Sequence, residues 1–264
     1  MNNTNVKIFG ERNTSTNAIG QVLKNNCKVT LLPSTARDLD KLFTMKRTTL
    51  EKIGISQGTI EKWIDSYFKN ASPLFTWKHA ATTFSDIGAF RNCHTVFCVR
   101  DPASWLLGLY KRPYHILCDK EQSFEDFLKR PWHPVARDRI GSEALAPTDL
   151  YNLKIRSYLS LISQLKARGY SYSIINFEEF AIDQDNSTSS LRKSLESRSS
   201  SFKPLETSTK DKNKNSNYYK IYYGKEMWRQ EISGKSMDAI RKSIDWEACK
   251  GIGYSIGQSL RKAV

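Results

Sequence analysis

At 264 residues and 30.3 kDa the chain is long enough to bury a substantial core, and its length suits one α/β domain. Hydrophobic residues at 39%, charged residues at 26% and a mean hydropathy of -0.55 place it with soluble globular proteins rather than disordered or membrane-embedded ones. A formal net charge of +14 points to anionic partners, because such a field concentrates phosphate-bearing ligands, but it does not choose among nucleic acid, acidic polysaccharide and nucleotide.

The N-terminal MNNTNVKIFG enters an apolar, strand-like run at once, without the basic, apolar and small-residue order of a secretory signal. No run reaches the roughly 20 apolar residues that cross a bilayer, so a cytoplasmic protein is expected. The cysteines Cys27, Cys93, Cys98, Cys118 and Cys249 form no C-x-x-C pair, and His79, His94, His115 and His133 show no helical metal spacing. Neither a disulfide framework nor a metal cofactor is expected.

The first predicted element is a buried parallel strand at Val6–Phe9, a short β-rich run bounded by polar residues. It runs into GERNTSTNAI, Gly10 to Ile19, and a helix from about Asn17 to Asn26. Strand, loop and helix in that order present backbone N–H groups and a helix dipole to a phosphate. Against the pattern G-x-x-x-x-G-K-[ST], Gly10 fits the first glycine. Ser15, Thr16 and Asn17 fall where the second glycine, the lysine and the magnesium-binding hydroxyl would be. Magnesium-dependent hydrolysis of a nucleoside triphosphate has lost two of its central parts. A phosphate cradle without metal, or a polar turn capping a helix, remains.

A second strand is predicted at Leu74–Trp77, leading into TWKHAATT, Thr76 to Thr83, which sets Lys78 and His79 at a strand end. A third, Thr95–Val99, is followed by Arg100, Asp101 and Pro102, where proline suits the first turn of a helix. The next segment, YKRPYH, is either an acceptor mouth lined by Lys111, Arg112 and Tyr114 or a turn set by Pro113, with His115 as a second candidate base. Tyr151, Ile155, Leu159, Ile162 and Leu165 recur at three or four residues and predict an amphipathic helix. The fourth strand, Ser173–Asn176, ends on an acidic pair, Glu178 and Glu179, placed where a helix dipole favours negative charge.

From Asp183 to Asn217 the sequence turns polar, with a short helix at Ser189–Leu195 and a long mobile loop at about 196–217. Beyond it, Tyr222, Tyr223, Met227, Trp228, Ile240, Ile244 and Trp246 supply apolar surface to dock back on the core. Strands alternating with helices predict an α/β fold with a mostly parallel sheet in a single domain, 1–264.

Taken together, four of these segments resemble the sulfotransferases that use 3′-phosphoadenosine-5′-phosphosulfate (PAPS), a family with a P-loop-like three-layer α/β/α fold. The family's strand-loop-helix motif, often K-S-G-T-T in cytosolic members, falls on Asn13, Thr14, Ser15, Thr16 and Asn17 when its glycine is placed on Ser15. The usual lysine is then an asparagine, with Arg12 one position earlier. VFCVRDPASWLLGLY, Val96 to Tyr110, resembles the strand, arginine and helix that bind the cofactor's 3′-phosphate. Arg100 matches the arginine; Gly108 stands where a serine is usual, and Ser104 lies one turn before it.

TWKHAATT is similar to the family's Lys-His segment, which implies His79 as the base for the acceptor's proton and Lys78 as a cation near the sulfonate. An imidazole of ordinary pKa, ~6.5, suits that role near neutral pH. SIINFEEF resembles the strand followed by Tyr-Glu-Asp, so Glu178 either supports the cofactor loop or serves as the base should His79 point elsewhere. YYKIYYGKEMWRQEIS and IDWEACKGIGYSIG resemble the C-terminal part of bacterial and plant sulfotransferase-like proteins, and the family's basic loop before this region implies Lys210, Lys212 and Lys214 as contacts to the adenosine phosphate.

The resemblance therefore implies an enzyme that moves a sulfuryl group from PAPS to a hydroxyl or amine of a small-molecule or carbohydrate acceptor, leaving adenosine 3′,5′-bisphosphate (PAP). Arg12, Lys78 and His79 are its expected catalytic residues. Arg12, Asn13, Thr14, Ser15, Thr16 and Asn17 would bind the cofactor together with Arg100, Ser104 and Gly108. Metal and nucleic acid are not expected. The departures at Asn13, Ser15 and Gly108 leave open a module that binds PAPS or PAP without transfer, and the charge leaves open a nucleic-acid-binding or P-loop kinase-like protein. Acceptor choice would lie in residues 33–70 and 111–148.

Overall fold

The opening strand, β1 (Thr4–Gly10), is the hub of the sheet, because successive side chains along it meet apolar partners on both faces. The computed structural model describes residues 3–113, 123–198, 201–209, 211 and 213–259. In it β1 lies between β2 (Val29–Leu31) and β3 (Cys93–Val99), and β3 pairs in turn with β4 (Tyr172–Asn176). All three pairings are parallel, with Val6 opposite Leu31, Phe9 opposite Phe97 and Cys98 opposite Ile175.

Parallel neighbours need crossovers, and these place helices on both faces. On one face Val6, Ile8, Val96 and Cys98 pack with Ile19, Val22 and Leu23 of α1 (Thr16–Asn26). Across the sheet, Phe9, Phe97 and Val99 join a larger core. The architecture is α/β in three layers, with a wholly parallel four-stranded sheet in the middle.

After β2 come α2 (Ala36–Leu39), α3 (Phe43–Lys52) and α4 (Gln57–Ser66), which gather Phe43, Ile60, Ile64, Phe68 and Trp77 into a third, smaller core. Behind β3, α5 (Pro102–Lys111) starts where Pro102 needs no N–H partner and the Asp101 carboxylate accepts from the N–H groups of Ala103 and Ser104. It is followed by α6 (Phe124–Lys129) and α7 (Pro147–Ala167), whose Tyr151, Ile155, Ile162 and Leu165 are buried at the predicted spacing. Next come α8 (Phe177–Ile182), α9 (Gln184–Lys193), α10 (Ser216–Gly224), α11 (Gly234–Ser243), α12 (Trp246–Gly251) and α13 (Ile256–Ser259).

The sequence and the structure part at several places. Leu74–Trp77 is not a strand: Pro73–Phe75 is a single 3-10 turn, with Phe75 exposed. The chain then passes the end of β1 without forming a ladder, the N–H of Gly10 donating to Lys78 O at 3.0 Å and that of Lys78 to Ser34 O at 3.1 Å. The place beside β1 belongs to β2, which the sequence reading does not contain. The helix expected at Ser189–Leu195 begins earlier, at Gln184, where the Asp183 carboxylate caps it. In the 196–217 stretch, Thr207 and Asn215 form an antiparallel bridge and the N–H of Ser216 donates to Glu206 O at 2.8 Å, so this part turns back on itself.

Among the described residues, Cys27, Cys93, Cys98 and Cys249 are free and buried, and burial pushes the Cys93 thiol up to about 11 and that of Cys249 up to about 12. No helix among the described residues is long and apolar enough to cross a membrane.

Candidate active site

The loop after β1 folds tightly because Gly10 has no Cβ: one built there would lie 2.6 Å from Cys98 O and 2.7 Å from Thr14 Oγ1. The loop's carbonyls are drawn into the protein. Gly10 O lies 2.5 Å from His79 Nδ1, and Glu11 O accepts from the Thr14 N–H at 3.3 Å. Arg12 O accepts from the Trp105 indole at 2.9 Å and Asn13 O from Arg100 Nη1 at 2.8 Å.

Asn13 and Ser15 both take left-handed backbone conformations, with φ of 63° and 60°. From Ser15 the chain enters α1, whose N-terminus has neither a side-chain cap nor an acidic residue in its first turn. Its N–H groups and positive dipole end thus lie beside a chamber that Ser15, Thr16, Asn17 and Ala18 line.

That chamber encloses about 260 Å³. Lys78, His79, Arg100 and Gly108 also line it, as do Lys111, Arg112 and Lys214, which are paired with Glu231, with Asp211 at 3.1 Å and with Asp211 at 3.8 Å, respectively. Further along, Phe177, Phe180, Leu205 and the tyrosines of α10 give it an aromatic and apolar end. No Asp or Glu occurs among its described lining residues. The Lys78 ammonium donates to the side-chain carbonyl of Asn17, and burial pushes its pKa below the usual lysine range.

Arg100 is held from several sides. Nε donates to Ser104 Oγ at 2.9 Å and Nη2 to the Tyr223 hydroxyl at 2.9 Å, while the guanidinium stacks 4.2 Å from the Phe177 ring centre. With Nη1 on Asn13 O, one N–H on each terminal nitrogen remains for a ligand. Gly108 makes this pose possible, since a Cβ there would meet Arg100 Nη1 at 2.8 Å. Glu178 lies behind the arginine, its Oε1 3.7 Å from Nε, while Oε2 accepts from the Tyr254 hydroxyl at 2.7 Å and the Asp101 N–H at 3.3 Å. That is a supporting position, and Glu178 is not among the residues lining the chamber.

The imidazole of His79 packs edge-on against Trp77, with ring centres 5.0 Å apart. A carbonyl oxygen can only accept, so contact with Gly10 O makes Nδ1 the protonated nitrogen and Nε2 the basic one in the neutral ring.

The fold thus brings Asn13, Ser15, Thr16, Asn17, Lys78, His79, Arg100 and Gly108 to one chamber. It carries the other expected residues elsewhere. Arg12 is 3% exposed, stacked 4.5 Å from the Trp77 ring centre and 3.4 Å from Asp138 Oδ1, so its charge is spent beneath the loop and it is not among the lining residues. Thr14 turns its hydroxyl to Glu11 O at 2.5 Å, and Ser104 acts through Arg100. Tyr114, His115, Lys210 and Lys212 lie outside the described residues.

Other parts of the site carry no motif. Lys154 of α7 is fully buried; its ammonium lies 3.1 Å from Asp138 Oδ1 and 3.2 Å from Glu11 Oε1 and also donates to His79 O. Burial raises the Glu11 carboxyl's pKa, against the pull of Lys154. Spacing could have signalled the tyrosine wall, because Tyr218 and Tyr222, like Tyr219 and Tyr223, stand one helical turn apart and stack with ring centres at 5.8 and 6.4 Å. Nothing in the sequence marks Lys154 as buried.

No family model matches the chain, and no curated protein matches it. Chemically, the chamber offers an uncapped helix terminus, a fixed arginine and an imidazole oriented by Gly10 O, all in one lining. Helix terminus and arginine each suit an anionic group, and a neutral imidazole can take a proton.

Proposed function

We propose that the protein is a PAPS-dependent sulfotransferase on a P-loop-like fold. What supports this most is a single observation: one chamber is lined by the uncapped start of α1, by Arg100 and by the adjacent Lys78 and His79, with no carboxylate among its described lining residues. In this reading the phosphosulfate lies against Asn13–Asn17 and Lys78, the ribose 3′-phosphate takes the remaining N–H groups of Arg100, and adenine occupies the end walled by Phe177, Phe180 and Leu205. Lys78 supplies the cation that Arg12, buried with Asp138, does not.

Transfer is a displacement at sulfur. The acceptor oxygen forms a bond to sulfur as the bond from sulfur to the 5′-phosphate oxygen breaks, the electron pair leaves with PAP, and the acceptor's proton passes to His79 Nε2. Lys78 and the N–H groups of α1 offset charge as it builds on the departing phosphate. Gly10, by accepting from Nδ1, keeps the imidazole in the tautomer that can act as base.

A second reading is a module that binds PAP or PAPS without transfer. The left-handed backbone of Ser15 favours it, since the Cβ there strains the cradle, and so does an arginine already bonded to Asn13, Ser104 and Tyr223.

Both readings predict that PAP without magnesium stabilises the protein. At about 100 times its Kd the gain is about 2.7 kcal/mol, several degrees in Tm. Only the enzyme transfers labelled sulfate from PAPS to an acceptor panel, and His79→Ala abolishes that transfer. No thermal shift with PAP and no transfer would overturn the proposal.

A further inference from the structure

A second cavity, of about 700 Å³, adjoins the first, and the two share Thr16, Asn17 and Lys78 in their walls. In this shared wall the Lys78 ammonium donates to Asn17. Ile8, Leu31, Phe43, Ile64 and Phe68 give the second cavity an apolar side, and the insert of α2, α3 and α4 borders it. Its volume is that of a pocket for a drug-sized or oligosaccharide ligand.

The charges of its wall are one-sided: Lys24, Arg37, Arg47, Lys78 and Arg137 against Asp38. Some are answered within the protein. Arg137 pairs with Glu61 and with Asp65, and Arg47 pairs with Glu51 at 2.8 Å. The Asp38 carboxylate accepts from the N–H groups of Ser34 and Thr35 at 2.9 and 2.8 Å and lies in the field of Lys78. Lys24 and Arg37 make no ion pair among the described residues, and both are exposed. Two positive charges therefore border an apolar-sided cavity without an ion pair, Asp38, already held by two N–H groups, being the one carboxylate among its described lining residues.

We propose that this second cavity is the acceptor site, and that the acceptor carries a carboxylate or sulfate of its own beside the hydroxyl that receives the sulfuryl group. The inference rests on the sulfotransferase reading for its chemistry, but not for its anion preference. The acceptor's anionic group is held by Lys24 and Arg37, while its hydroxyl displaces Asn17 from the Lys78 ammonium to approach the sulfur. A neutral acceptor leaves both cations unmatched and is the poorer ligand.

The test uses two matched pairs of probes: para-nitrophenyl glucuronide against para-nitrophenyl glucoside, and hydroquinone monosulfate against hydroquinone. Binding is measured calorimetrically with the full chain, with and without PAP, and PAP binding is measured separately. At least one acidic probe is expected to bind about tenfold or more tighter than its neutral partner, as expected for charge-assisted hydrogen bonds, and to weaken with added salt. The double variant Lys24→Gln with Arg37→Gln removes that preference while PAP affinity and Tm stay unchanged, because neither residue lines the nucleotide chamber or pairs with the protein.

Equal binding within both pairs, no binding of any acidic probe, or a preference that survives the double variant overturns the inference. PAP binding with no acid preference leaves the sulfotransferase reading standing and removes this one. An acid preference carried by Lys24 and Arg37 in a chain that ignores PAP supports the anion site and removes the sulfotransferase reading.

Discussion

Ser15 and Gly108 occupy each other's expected residue types, and the structure shows what each exchange does. At Ser15, with φ of 60°, the side chain sits in a region that costs roughly 1–2 kcal/mol for an L-residue, of which glycine's greater unfolded entropy would return about half. Ser15→Gly is expected to raise Tm by about 1–3 °C in a thermal melt and to tighten PAP binding. At Gly108 the restoration runs the other way. A serine Cβ would press on Arg100 Nη1 from 2.8 Å, so Gly108→Ser, although nearer the family's motif, is expected to weaken PAP affinity about tenfold by calorimetry. The sequence made Arg100 legible because it follows the end of β3 and precedes the helix-starting Pro102, whereas Lys78 and His79 were legible from the motif alone, the strand expected before them being absent. Arg12 was misplaced because adjacency in a loop does not fix where a long side chain goes, and a buried Asp138 more than a hundred residues away decided it.

Among the elements, α7 was legible and β2 was not, for a physical reason. A helix of 21 residues repeats its apolar period several times, whereas a strand of 3 residues, Val29–Leu31, shows no period at all. Leu74–Trp77 has the composition of a strand, but Pro73 starts a 3-10 turn there, and the chain meets β1 only afterwards, at the single bond from the Gly10 N–H to Lys78 O. Two buried lysines tie these elements to the site.

Lys7 of β1 donates to Thr76 O at 2.6 Å and Pro33 O at 3.2 Å, and burial pushes its pKa down to about 7 from the usual 10.5. Between those values the unfolded chain holds a proton that the folded chain has released, so Lys7 makes stability rise with pH from about 7 upward, while below pH 7 its penalty is full and constant. The stability advantage of Lys7→Met over wild type is expected to shrink by about 2–3 kcal/mol between pH 7 and pH 9 in urea titrations. Lys154→Met, by contrast, leaves Glu11 buried without its ammonium partner and Asp138 with Arg12 alone. A loss of roughly 3–5 kcal/mol, read as a fall of about 10 °C in Tm, is expected.

For the molecule as a whole, the net charge of +14 concentrates anions without selecting them, and how the cations are arranged does the selecting. Lys78 and Arg100 are buried inside a walled chamber rather than spread along an open face, so ligands there are screened less by salt than nucleic acid on a surface would be. PAP affinity is expected to fall by less than tenfold between 50 and 200 mM salt. A loss of about a thousandfold or more in binding to duplex DNA or RNA is the mark of several phosphate contacts, and a tight complex of that kind would favour a nucleic-acid role.

The four described cysteines have one more consequence. Buried under the sheet and its helices, with thiols held protonated by their surroundings, they are nearly inert towards alkylating reagents while the chain is folded. Cys98 on β3 and Cys27 at the end of α1 belong to the core on the α1 face of the sheet, whereas Cys249 belongs to the opposite core. Their modification rates, resolved by peptide mass, therefore clock the opening of each layer separately, and a ligand that braces the loop should slow Cys27 and Cys98 more than Cys249.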